Sequence, residues 1–325
     1  MFRLLGDSRT MRWIPLSLTL AAVTWVLATE PLHAANSHLV PGAHDIDLKE
    51  IRLHYVVRGH GPLLFVVSPG WGIGSDYLQE TLAPLQEHLT LVFIDTRGSG
   101  GSTQPRDPGR MSQSIMADDV DELRRRLGVK TLDLFGHSDG GAIAIEYALR
   151  HPQHLRKLLL IDPGVLGDRD VADTRALLEL WADDPQYHDA VQAAASEEAG
   201  PGLTLEQFQR SLDGMLPLYV SDPSRYLGPL RNSLRSTHLS VYAQVNEGAA
   251  EQHAARDQGQ EAKQIRAHTL IINGTVDWVC PYPVAQRLHA SIPNSQLSLY
   301  ANVGHLPWIE QPQRFFNEVV RFLAP

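Results

Sequence analysis

The sequence predicts an α/β fold, with a mostly parallel central sheet flanked by helices and a helical segment inserted late in the chain. Three features carry this expectation. Short runs such as 63–67 (Leu-Leu-Phe-Val-Val) and 158–161 (Leu-Leu-Leu-Ile) are apolar at every position, as strands buried on both faces of a parallel sheet must be. Helix-like stretches alternate with these runs, the pattern of strand–helix–strand units. The alternation then lapses between about 167 and 263, a stretch rich in Ala, Gln, Leu, Asp and Glu with prolines at 185, 201, 217, 223 and 229. It has helical periods and no convincing strand, so it reads as a helical lid.

Taken in order, residues 1–34 differ from the rest. Arg3, Arg9 and Arg12 flank the start of an apolar run over 14–28, and Leu32-His33-Ala34-Ala35 supplies small residues where a signal peptidase would cut. Basic start, apolar stretch and small-residue exit read as a secretory signal. The stretch falls short of the ~20 apolar residues of a membrane span, and Pro15 interrupts it. The expected address is the periplasm or the exterior, with no stable span after cleavage; an uncleaved anchor is the alternative, and Met11 is a second possible start. Residues 51–57 then alternate as a strand, and Gly59-His60-Gly61-Pro62 signals a hairpin into 63–67. Further strands are expected at 89–94, 131–135, 158–161, 268–272 and 296–300, with helices at 75–88, 112–127 and 140–151. The core is thus expected in two parts, 35–166 and 264–325, around a lid at 167–263.

Composition narrows the function. The 325 residues carry 28 Lys plus Arg against 37 Asp plus Glu, a formal net charge of −9. Without a basic cluster there is no electrostatic footprint for a phosphate backbone, so no nucleic-acid partner is expected. A single cysteine, Cys280, excludes an intrachain disulfide and a thiolate cluster; its place between Val279 and Pro281 reads as packing. The histidines show no metal-ligand spacing, and Gly70-Trp71-Gly72-Ile73-Gly74 lacks the spacing of a dinucleotide loop. No cofactor and no metal are implied.

The chemistry concentrates in Gly136-His137-Ser138-Asp139-Gly140-Gly141, set directly after an apolar strand and before the helix 142–150. A serine on such a turn projects its hydroxyl from the end of the strand, and the flanking glycines let strand and helix approach. A hydroxyl needs a base, and the base an orienting carboxylate. His305, in the loop after the last strand, and Asp277, in Asn273-Gly274-Thr275-Val276-Asp277-Trp278, follow the chain order Ser, Asp, His that this turn predicts. Asp162, at the end of 158–161, is the rival acid. His137 adjoins the serine with its side chain expected to point away. The oxyanion donors are expected to be the backbone N–H of Asp139 and of Trp71, the latter in the glycine-rich loop 68–74. The Asp139 carboxylate reads either as a helix cap or as a partner for a cationic substrate group.

These residues resemble an α/β-hydrolase over essentially all of 45–324, with the expected fold class an α/β-hydrolase fold with an inserted helical lid. Asp95-Thr96-Arg97-Gly98-Ser99-Gly100-Gly101-Ser102 and Met116-Ala117-Asp118-Asp119-Val120 with Leu123 are especially similar to the proline iminopeptidase branch. The resemblance implies Ser138, Asp277 and His305 as the triad and Trp71 and Asp139 as oxyanion donors. The chain departs from that branch in having Pro69-Gly70-Trp71-Gly72 where His-Gly-Gly-Pro-Gly is usual, and Asp139 where tryptophan is frequent. An aminopeptidase also needs carboxylates for the substrate amine, and the lid offers Glu197, Glu198, Glu206 and Glu247. The expected activity is a serine hydrolase, free of cofactors, acting on a small ester, lactone or amide, including a short peptide with an N-terminal proline. A carbon–carbon bond hydrolase, a cofactor-free oxygenase or perhydrolase, and a ligand receptor on the same scaffold are the alternatives. Trp71, Trp181, Tyr219, Tyr226, Tyr242, Trp278 and Trp308 are the aromatic candidates to line its pocket.

Overall fold

The computed structural model describes residues 37–70, 72–167, 171–195, 204–234 and 256–324; the expected signal segment and the lid residues Glu197, Glu198, Tyr242 and Glu247 lie outside them. Eight strands form one sheet: β1 (Gly42–Asp47), β2 (Arg52–Gly59), β3 (Leu63–Val67), β4 (Thr90–Ile94), β5 (Leu132–Ser138), β6 (Leu155–Pro163), β7 (His268–Gly274) and β8 (Ser295–Tyr300). Their order is β1-β2-β4-β3-β5-β6-β7-β8. Only β2 runs against its neighbours; from β4 to β8 all pairs are parallel.

Strand alternation sends side chains to two separate apolar layers. Phe65, Val67 and Leu134 join one cluster with Met116, Val120, Ile143 and Tyr147. Leu64, Val66 and Phe135 join the other with Leu78, Leu85, Trp308 and Phe315. Each such side chain, taken fully out of water, contributes on the order of 1.5–3 kcal/mol, so both faces of β3 and β5 are committed to the interior.

The hairpin expected at 59–62 does not form a paired hairpin. β3 pairs with β4 and β5, and β4 lies between β3 and β2. The turn glycines are instead needed for close approach: a Cβ on Gly59 would sit 2.3 Å from the Leu89 carbonyl oxygen, and one on Gly61 2.5 Å from that of His88. The segment leading into β4 therefore lies against the turn and carries β4 into the gap. The helix expected at 75–88 is also divided, into α1 (Asp76–Thr81) and a 3-10 turn Ala83–Glu87, because Pro84 cannot donate to the preceding turn.

Two helices follow the sheet's first half, α2 (Gln113–Arg126) and α3 (Asp139–Arg150). Arg97, in the loop after β4, is buried and grips Asp119 of α2 with Nε and Nη2 at 2.7 and 2.8 Å. That pair fastens the two segments whose sequence carries the family resemblance, and its role is architectural. Between β6 and β7 the described residues are helical and carry no strand: α4 (Val171–Trp181), α5 (His188–Ala195), α6 (Leu205–Met215), the 3-10 turn Leu216–Tyr219, and α7 (Pro223–Leu234). The short α8 (Gln258–Glu261) leads into β7, α9 (Tyr282–Ser291) joins β7 to β8, and the chain ends with α10 (Pro307–Glu310) and α11 (Pro312–Leu323). Among the described residues no helix is long and apolar enough to cross a membrane.

Candidate active site

Ser138 ends β5 and immediately precedes α3, with φ 56° and ψ −130°. A side chain in this region of backbone space costs on the order of 1–3 kcal/mol and persists only where its surroundings over-determine it. They do. A Cβ on Gly136 would lie 2.2 Å from the Gly140 carbonyl oxygen, and one on Gly141 2.6 Å from the Pro163 side chain. Strand and helix meet too closely for any residue but glycine there, and the half-buried serine is pushed out at the turn.

The other candidates converge on the same edge, past the C-terminal ends of the strands, where open α/β sheets bind ligands. His305 Nδ1 and Asp277 Oδ2 are 2.7 Å apart, both side chains buried. An ionised carboxylate only accepts, so Nδ1 carries the hydrogen and Nε2 presents its lone pair. Asp277 Oδ1 accepts from the backbone N–H of Val279 at 2.8 Å and of Cys280 at 3.1 Å, which fixes the carboxylate from behind.

Asp162 does not reach His305. It is fully buried with φ 43°, and its Oδ1 accepts from Gly274 N–H at 2.8 Å. Burial, and next the negative charge of Asp277, push its carboxyl well above the usual carboxylate range. The carboxylate that meets His305 is that of Asp277, so the acid beside the base is Asp277.

The loop carrying His305 is held at three backbone points. Its N–H donates to the Tyr219 carbonyl at 2.8 Å. The preceding Gly304 N–H donates to Glu310 Oε1 at 2.8 Å, while Glu310 Oε2 accepts from Ser221 N–H at 3.1 Å and from the Ser221 hydroxyl. Gly304 is required here, since a Cβ would stand 2.5 Å from the Tyr219 oxygen. Finally, His137 Nε2 lies 2.9 Å from the His305 carbonyl and His137 Nδ1 2.9 Å from the Tyr77 hydroxyl. A carbonyl only accepts, so Nε2 is the donor and Nδ1 accepts from Tyr77. Burial, and next the charge of His305, hold the His137 pKa well below the ordinary histidine range, which keeps this tautomer neutral. Its ring lies 4.5 Å from that of His305 and 4.7 Å from that of Trp308. His137 thus faces away from Ser138 and supports the base from beneath.

Of the expected oxyanion donors, Trp71 lies outside the described residues. Asp139 opens α3, so its N–H is at the positive end of a helix dipole. Its carboxylate accepts from Gln113 Nε2 at 3.1 Å on both oxygens. Tyr219 and Trp278 border the base, their rings 6.0 Å apart and that of Tyr219 5.4 Å from His305. Trp308 and Tyr226 belong to the core, and Trp181 stacks on Tyr187 in a satellite cluster. Glu206 is exposed and pairs with Arg210 at 3.0 Å on its own helix. Sequence reasoning missed Glu310 and Gln113, whose partners lie far along the chain. It also read Cys280 as packing. The residue is buried, yet its Sγ lies within 4.8 Å of ligand atoms of both Asp277 and His305.

A mostly parallel eight-stranded sheet with a strained serine between strand and helix, and an Asp–His pair on the adjoining loops, defines the architecture of the α/β-hydrolases. The family model of the alpha/beta hydrolase fold matches residues 64–312, and the chain belongs to that family. It is 29% identical over 285 residues to a 2-hydroxymuconate semialdehyde hydrolase of Pseudomonas putida, covering 83% of this chain and 86% of that one. It is 27% identical over 290 residues to a proline iminopeptidase of Saccharolobus solfataricus, covering 83% and 87%. Among solved structures, an esterase from Exiguobacterium antarcticum superposes with a TM-score of 0.64 at 21% identity, covering 87% and 99%.

Proposed function

We propose that the protein is a serine hydrolase of small carboxylic esters or lactones, exported to the periplasm or beyond with loss of residues 1–34. The observation that carries the reading is the buried Asp277–His305 hydrogen bond at 2.7 Å on the same sheet edge as the strained Ser138. In this reading His305 Nε2 takes the Ser138 proton as Oγ attacks the carbonyl carbon. Asp277 stabilises the imidazolium, and the N–H of Asp139, with that of Trp71, holds the oxyanion. The proton on Nε2 then passes to the leaving alkoxide, and water, activated by the same nitrogen, releases the acid from the acyl-enzyme.

An amide reading, as the iminopeptidase relative suggests, needs a carboxylate to meet the substrate's ammonium group. Among the described residues, Glu206 pairs with Arg210 and Asp139 with Gln113, so esters and lactones come first. Cleavage of a carbon–carbon bond is the second reading, favoured by the named activity of the Pseudomonas relative. The test compares nitrophenol release from a short-chain ester with nitroaniline release from a proline anilide, using Ser138→Ala as control. Ester turnover that falls by about 10³-fold or more in the control supports the reading. Turnover of the anilide alone moves it to an aminopeptidase, and activity that survives in Ser138→Ala overturns it.

A further inference from the structure

Cys280 is the chain's one cysteine, and it sits beside the charge pair that drives the proposed reaction. Its Sγ, a carboxylate oxygen of Asp277 and a ring nitrogen of His305 all lie within 4.8 Å of one another. All three residues are buried, at 8, 1 and 2% exposure. The geometry points to a second use of this triangle: Asp277, Cys280 and His305 form a site for a soft divalent cation, zinc or cadmium, whose capture switches turnover off. The effect on turnover rests on the serine-hydrolase reading; the binding itself does not.

The donor set is what such a cation requires. One thiolate, one imidazole and one carboxylate, with water as the fourth ligand, make a tetrahedral site. The thiolate selects soft cations over magnesium and calcium. One proton passes to solvent as the cation enters, that of the Cys280 thiol, while the His305 Nδ1 hydrogen moves to Nε2 so that Nδ1 binds as neutral imidazole. The doubly positive ion then meets two negative ligands, so the filled site is neutral. That matters in a buried position, where uncompensated charge is expensive.

The adjustment needed is small. Metal–nitrogen and metal–oxygen bonds of about 2.0–2.2 Å place neighbouring tetrahedral donors about 3.3 Å apart. The Asp277–His305 contact, now 2.7 Å, opens by roughly half an ångström while Sγ closes in. Val279 and Cys280 N–H continue to hold Asp277 Oδ1, and Asn273 Nδ2 holds the Cys280 carbonyl at 3.0 Å. The consequence for catalysis is direct. With the cation in place of the Nδ1 proton, the charge of Asp277 is neutralised and can no longer stabilise a protonated imidazole. His305 then loses its capacity to accept the Ser138 proton.

A second cluster, Asp121, His151 and His154, meets the same distance condition. There the guanidinium of Arg124 already occupies the carboxylate, with Nε at 2.7 Å, and no thiol is present.

Cadmium chloride is the probe, since the single cysteine makes the cadmium–thiolate absorption band report Cys280 alone. The full chain is titrated as wild type, Ser138→Ala, His305→Ala and Cys280→Ala, and ester turnover is followed in parallel for wild type and Cys280→Ala. Cys280→Ala keeps the backbone N–H that Asp277 accepts, and its inhibition is read against its own turnover without cadmium. The band should saturate at one equivalent in wild type and in Ser138→Ala, which retains all three ligands. It should weaken about tenfold or more in affinity in His305→Ala. Wild-type turnover should fall about tenfold as the band saturates and return with EDTA, whereas Cys280→Ala should keep most of its activity. Equal inhibition of Cys280→Ala, or undiminished cadmium affinity in His305→Ala, overturns the site. If no ester is turned over, the proposed function fails, and the absorption titrations still decide the binding site on their own.

Discussion

Replacing Asp162 by Asn should stabilise the protein, and increasingly so as the pH rises. Asp162 is fully buried, with Oδ1 on Gly274 N–H at 2.8 Å and the charge of Asp277 nearby. Burial first, and that charge second, raise its carboxyl well above the ordinary value of 3.8. The unfolded chain therefore gives up this proton from about pH 4 upward while the folded chain keeps it. The folded state then binds one proton more, and stability falls with rising pH by about 1.4 kcal/mol per pH unit. The fall ends once the pH passes the folded-state value. For a chain of this length that slope corresponds to about 2 °C in Tm per pH unit. Asparagine has the same shape, retains the acceptor for Gly274 and does not ionise. Thermal unfolding of both proteins in buffers of matched ionic strength between pH 4 and 9 reads the effect. The Tm difference, variant minus wild type, should be level near pH 4 and climb above it. A difference independent of pH refutes the argument, and so does one that falls with pH, because either result means that the fold does not retain the Asp162 proton.

Three further substitutions probe the frame. Ser138→Gly should be as inactive as Ser138→Ala but more stable than it by about 1–3 kcal/mol, because glycine adopts φ 56° without strain; equal melting temperatures would mean that the turn stores none. Glu310→Gln turns one acceptor into an NH2 group facing either Gly304 N–H or the Ser221 donors. It should cost about 1.5–3 kcal/mol in denaturant unfolding, and kcat should fall by about 10-fold or more with KM little changed, since the His305 loop is displaced. Gly136→Ala places a Cβ 2.2 Å from the Gly140 oxygen and should destabilise by at least about 3 kcal/mol, measured in the same way.

What the sequence disclosed follows the range of the physics involved. The serine turn was legible because its requirement is local: glycines two and three residues from Ser138 are there to let β5, α3 and β6 touch, and spacing alone records that. β3, β5 and β6 were legible because both of their faces are apolar. β1 was missed because Gly42–Asp47 is an edge strand with mostly exposed residues, and such a strand lacks a hydrophobic signature. The 59–62 turn was read as a paired hairpin because turn chemistry fixes a reversal of the chain and says nothing of what slides between the arms. Glu310 carries no local signal at all. It precedes Gln311 and Pro312 like an ordinary surface glutamate, and its meaning lies in Ser221, 89 positions away. Arg97 and Asp119 stood out as parts of a resemblance, yet only their buried pairing explains why those residues stand there.

The two halves of the site are held in different ways. Ser138 is positioned by exclusion: its strained backbone is imposed by contacts too short to admit any side chain at Gly136 and Gly141. His305 is positioned by attachment, with its N–H on Tyr219, its carbonyl on His137 and its Nδ1 on Asp277. With both backbone groups and one ring nitrogen engaged, only Nε2 is left for chemistry. One of these anchors, and a further one on the preceding Gly304, lead outside the sheet. Tyr219 ends the 3-10 turn Leu216–Tyr219, and Glu310 ties the same loop to Ser221 just beyond it. The orientation of the base is therefore set partly by the segment inserted between β6 and β7. Residues 216–221 are joined to the His305 loop by hydrogen bonds of 2.8–3.1 Å, whereas Ser138 is held by the sheet and α3. The segment that borders the site through Tyr219 thus also holds the loop that carries the base.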